Sequence, residues 1–103
     1  MKPHPRAAGA FAREMESSMD AMVRDMHGAG HSGDSDIDFL AMMIPHHQGA
    51  IDMALVQLKY GRNEKLRRLA QSIIVEQGQE IAYMRGLLDP PAEGHPASPQ
   101  SHR

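Results

Sequence analysis

Apolar residues recur along this chain at the three- and four-residue steps of an α-helix, in three stretches separated by turn-forming residues. The first runs from about Ala10 to His27. Phe11, Met15, Met19, Met22 and Met26 form its apolar stripe, and Glu14, Glu16, Asp20 and Arg24 occupy much of the remainder. Gly28 follows the last periodic residue and suits a helix end. Gly28 to Asp34, reading GAGHSGD, is a loop by its glycines and side-chain oxygens.

The second stretch starts at a Ser35 or Asp36 cap, with Asp36 and Asp38 near the positive end of the helix dipole, and continues to Tyr60, where Gly61 stops it. Pro45 lies inside it. A proline there removes a backbone hydrogen bond and crowds the preceding turn, so a kink or break just before His46 is expected, or a fresh helix with Pro45 in its first turn. Asn63 caps the third stretch, Glu64 to Leu88, which Asp89-Pro90-Pro91 ends. Its expected buried face is Leu66, Leu69, Ala70, Ile73, Ile74, Gln77, Ile81, Met84 and Leu88.

The second and third helices share a short turn and should pack as an antiparallel hairpin. Residues whose numbers sum to about 123 then face each other, which pairs Met53 with Ala70, Ala50 with Ile73, His46 with Gln77, Met43 with Glu80 and Phe39 with Met84. The expected fold is all-α, a hairpin plus an N-terminal helix. Residues 1–9 read as a lead-in, 10–88 as the helical domain, and 89–103, rich in proline, serine and histidine, as a disordered tail in which His95 and His102 are inert. Gly49 and Gly78 are costly inside helices, which points to close backbone approach by the first helix or by a second chain.

Composition sharpens this picture at two points. The 103 residues suit one domain, and they include nine methionines but no tryptophan or cysteine, so the core must be aliphatic and methionine-rich. Thiolate zinc sites, disulfides and cysteine nucleophiles are excluded. A net charge of −2 without a long basic face argues against nucleic acid, and Arg62, Lys65, Arg67 and Arg68 read as the solvated end of the hairpin. No apolar run approaches the ~20 residues of a membrane span, and Met1-Lys2-Pro3-His4-Pro5 has no hydrophobic leader core.

The chemistry concentrates in Met42 to Met53, reading MMIPHHQGAIDM. Met42 stands four residues before His46, and Met43 four before His47, so each thioether shares a helix face with an imidazole. Copper accepts both donor types. On paper the hairpin brings Gln77 and Glu80 to the same level, where the apolar stripes otherwise match. A purely structural alternative is a polar cluster in which His46 bonds Gln77 and His47 bonds Glu76 or Glu80. Met26, His27 and His31 surround the glycine loop as a second possible donor group, and Met15, Met19 and Met22 are further candidates if the first helix returns past the site.

The block FLAMMIPHHQGAIDMA, Phe39 to Ala54, followed by LAQSIIVEQGQEIAYMRGLL, Leu69 to Leu88, resembles the signature of the domain of unknown function 305, a methionine- and histidine-rich, ferritin-like helical family. The resemblance implies a helical bundle, export to the periplasm or cell surface, and copper binding that supports copper resistance. It carries Met43, His46 and His47 over from the first block and Gln77, Glu80 and Met84 from the second, with Met53 also part of the pattern.

The expected function is therefore non-enzymatic binding of Cu(I) or Cu(II), for sequestration or transfer. The metal candidates are Met42, Met43, His46, His47, Gln77, Glu80 and Met84, and the expected partners are the metal ion and a second copy of the chain. One alternative is an interaction module with a methionine-rich surface. A ferritin-like metal oxidase is less well supported, because no Glu-x-x-His pair occurs.

Overall fold

The structure is a computed structural model that describes residues 5–88. The expected tail at 89–103, with His95 and His102, lies outside the described residues, as do residues 1–4. Three helices account for most of the rest: α1 (Pro5–Gly28), α2 (Ser35–Tyr60) and α3 (Glu64–Leu88). The chain is all-α with three helices.

α1 begins earlier than its apolar periodicity indicates, at Pro5 rather than near Ala10, so helix extends into the expected lead-in. Proline is at home in a first turn, where its missing N–H would have had no partner. Gly30 and Gly33 take positive φ, 72° and 94°, and turn the chain between α1 and α2. The cap of α2 is Asp34, one residue before the expected pair. Its carboxylate accepts from the Asp36 N–H at 2.9 Å and the Ile37 N–H at 3.4 Å. Asp38 binds back into the loop by accepting the Ser32 N–H at 2.8 Å. The expected break before His46 is not there: α2 is a single helix across Pro45. The turns on either side of the lost hydrogen bond are held by packing, since α1 lies against one side of α2 and α3 against the other. α3 starts as expected, with Asn63 Oδ1 accepting the Leu66 N–H at 3.1 Å. Arg67 ties the hairpin turn by donating to the carbonyls of Leu58 at 2.6 Å and Gly61 at 3.0 Å.

α2 is the middle of the fold. Among the described residues α1 packs on α2 and α2 on α3, while α1 and α3 do not pack on each other. The helices therefore lie side by side as a layer. The α1–α2 crossing is closest at Gly49, which is buried. A Cβ there would stand 2.7 Å from Met22 Cγ and 2.9 Å from Met22 Cβ, so this glycine is where α1 crosses the hairpin. Gly78 differs, since a Cβ there would meet nothing within 4 Å in this chain.

A single layer buries little. The buried apolar residues are Ala54, Val56, Ala70 and Ile81, and among the described residues no large side chain is fully enclosed. Four residues expected in the core or at the hairpin seam lie on the open surface: Met19 is 44% exposed, Leu66 49%, Leu69 54% and Phe39, expected against Met84, 59%. Periodicity marked them as apolar correctly, but the seam between two helices is narrower than the apolar stripe, and residues at its edge remain uncovered.

Candidate metal centre

The helix register decides which of the adjacent histidines meets α3. Neighbours on a helix point about 100° apart, so only one of them can enter the seam. That one is His47. Its side chain is 13% exposed, and its Nε2 lies 2.6 Å from Glu80 Oε1, while Glu80 itself is 59% exposed. The Nδ1 lies 2.9 Å from the carbonyl of Met43, one turn earlier on α2, and donates to it. His46 is exposed, with its ring 6.0 Å from that of His47, and Met42, one turn before it, is exposed as well.

This arrangement places acceptors at both ring nitrogens of His47. The carbonyl can only accept, so Nδ1 carries a proton. At 2.6 Å a second proton lies between Nε2 and the Glu80 carboxylate. The contact is a hydrogen bond, and an ion held by one donor from each helix would have to displace that proton and spread the pair to ~3 Å or more.

A methionine stands one turn away on each helix. Met43 precedes His47 by one turn on α2, and Met84 follows Glu80 by one turn on α3. Because the two helices are antiparallel, both steps lead toward the same end of the hairpin. Both methionines are half-buried. Gln77, expected opposite His46, is half-buried on α3, one turn from Glu80 in the other direction. The contact that forms is thus the His47–Glu80 one, which the structural alternative also contains. Among the described residues no three His, Asp or Glu side chains converge as a metal-holding group.

The other candidates are dispersed. Met22 is occupied in packing on Gly49, Met15 and Met26 are half-buried, and Met19 faces outward. His27 and His31 are exposed near the α1–α2 loop. Asp38 in that region is held below the usual carboxylate range, first by the Ser32 N–H and then by the Ser32 side chain.

A second polar cluster joins residues that no local motif connects. Glu14 of α1 accepts from the Tyr60 hydroxyl and, at 3.0 Å, from Lys59 Nζ, both at the end of α2. The hydroxyl, then the ammonium, hold Glu14 below its ordinary range, and the carboxylate raises both Tyr60 and Lys59. Phe11 completes the clasp edge-on to the Tyr60 ring at 6.2 Å. Its role is to fasten α1 to α2.

No helix of the described residues is long and apolar enough to cross a membrane. No curated protein matches the chain. The model of the domain of unknown function named DUF305 matches residues 2–88, which span all three helices and the His47–Glu80 contact, and the chain therefore belongs to the DUF305 family.

Proposed function

We propose that this protein binds copper, with its primary site at the α2–α3 seam around His47 and Glu80, and that it sequesters or passes on the ion without catalysing a reaction. The observation that carries this reading is the orientation of His47. One ring nitrogen donates to the Met43 carbonyl, which directs the other at Glu80. A backbone acceptor on the far nitrogen is how proteins commonly orient a metal-binding imidazole.

The donor set supports copper over harder ions. Met43 and Met84 lie one turn from His47 and Glu80 toward the same end of the hairpin, and thioethers select Cu(I). Met42 and His46 form an exposed thioether–imidazole pair on the same helix, suited to a more weakly held ion. Gln77, half-buried one turn from Glu80, stays a further candidate donor. A periplasmic or secreted setting and a part in copper tolerance follow from the same family resemblance and belong to the proposal.

The exposed apolar residues Leu66, Leu69 and Met19 favour a second reading, in which His47 and Glu80 are an ion pair and the methionine-rich surface binds another helix. Titration with Cu(I) and Cu(II) separates the two. The proposal predicts that His47→Ala lowers Cu(I) affinity at least tenfold and that His46→Ala, His47→Ala together abolish the central site. Unchanged stoichiometry and affinity in the double variant would remove it.

A further inference from the structure

The two broad faces of the helix layer are not alike. Around α2, at 100° per residue, Ala50, Met53 and Gln57 lie on one side of the layer and Ile51, Leu55 and Lys59 on the other. The first three border a groove of about 320 Å³ whose opposite wall on α3 includes Leu66, Leu69 and Ile73. On α1, Glu14 reaches Lys59 and so marks the second side. Met19 and Val23 lie on the opposite flank of α1 from Glu14, which puts them on the side of the groove, 44% and 48% exposed. One face thus carries both an apolar groove, between α2 and α3, and an apolar ridge, on α1.

We infer that a second copy of this chain covers that face, with the α1 ridge of each copy seated in the α2–α3 groove of the other. The levels agree. Met22 packs on Gly49, and Met19, three residues earlier, lies about 4.5 Å along the axis toward the Glu14 end, level with Ala50 to Met53 in the groove. A two-fold axis parallel to the helices keeps that level and exchanges ridge and groove between the copies, the reciprocity that an isologous dimer requires.

The area agrees as well. Helices ~25 residues long and a layer three helices wide offer a face of about 38 by 30 Å, or ~1,100 Å² per copy, enough for a stable dimer. The need is permanent, because a layer whose buried apolar residues are Ala54, Val56, Ala70 and Ile81 has little core of its own. A second copy is the partner present wherever the chain is.

The test uses the full chain with a chelator present, so that it stands apart from the copper proposal. Sedimentation equilibrium at ~10–100 μM is expected to give about twice the 11.4 kDa chain mass, with Leu69→Glu raising the dimer dissociation constant at least ~100-fold. The chain has no cysteine, and α1 and α3 do not pack within one copy. A Met19→Cys, Leu69→Cys chain is therefore expected to give a covalent dimer on oxidation. Met19→Cys with Val75→Cys is expected to give none, because Val75 is exposed on the opposite face. A monomeric mass for the wild-type chain, or equal cross-linking by the two cysteine pairs, would overturn the inference.

Discussion

The two helix glycines offer a paired perturbation in which the same substitution should have opposite signs. Glycine inside a helix is about 1 kcal/mol less favourable than alanine, so Gly→Ala is stabilising wherever the added methyl has room. At Gly78 nothing lies within 4 Å of that methyl, and the expected gain is ~0.5–1 kcal/mol. At Gly49 the methyl would stand 2.7 and 2.9 Å from Met22 Cγ and Cβ, about 1 Å inside the favourable carbon–carbon distance. Met22 Cβ is fixed to the α1 backbone and cannot swing away, so α1 must retreat. Overpacking of this kind costs ~1–3 kcal/mol. After the helix gain of about 1 kcal/mol is subtracted, Gly49→Ala should lose up to ~2 kcal/mol. For a domain of this size 1 kcal/mol moves Tm by ~4–8 °C, so Gly78→Ala should melt a few degrees higher than wild type and Gly49→Ala lower, by up to ~16 °C. Circular dichroism melts at matched protein concentration are sufficient, the match being needed because association raises Tm. A Gly49→Ala chain that melts higher would show that Met22 does not cross α2 there. A Gly78→Ala chain that melts lower would show that the exposed side of α3 is packed against something.

Three further outcomes follow. Glu80→Gln keeps an oxygen opposite His47 but removes the charge, and should weaken Cu(I) binding less than His47→Ala does; equal loss, measured by competition with a Cu(I) chelator, would make Glu80 the dominant donor instead. Asp38 is depressed in the folded chain by Ser32, so its contribution to stability is complete above the unfolded carboxylate value near pH 4 and is lost as the pH falls through the lower folded value. Asp38→Asn should therefore flatten the acid side of the stability profile in denaturant titrations, and an unchanged slope below about pH 4 would contradict the loop contact. Tyr60→Phe keeps the ring edge toward Phe11 but removes the hydroxyl that donates to Glu14. The Glu14 titration, followed by carboxyl carbon NMR, should move up toward the ordinary range, and no movement would exclude the clasp.

Much of this architecture was legible from local signals. The three helices, the Gly61 stop, the Asn63 cap and the glycine loop rest on residue types acting within a turn or two of themselves, and the structure carries all of them. The Asp34 cap escaped because Asp34, Ser35 and Asp36 can all accept at an N-terminus, and the tertiary path through Gly33 decides among them. His46 and His47 could not be ranked for the same kind of reason: periodicity gives their angular separation, and only the packed register shows which enters the seam. Leu66, Leu69 and Met19 carry a different lesson. An apolar stripe states that a surface must be covered, but it does not state that the cover comes from the same chain. The Glu14, Lys59 and Tyr60 contact joins helices across a loop whose length leaves the register open, and nothing in the pattern of α1 marks Glu14 apart from Glu16.

Copper K-edge X-ray absorption on the chain loaded with one equivalent of Cu(I) tests the proposed site most directly. The prediction is a first shell containing both sulfur and imidazole nitrogen, with the imidazole scattering lost in His47→Ala and the sulfur reduced in Met43→Leu, Met84→Leu. A shell of nitrogen and oxygen alone, or a wild-type spectrum retained in both variants, would contradict it.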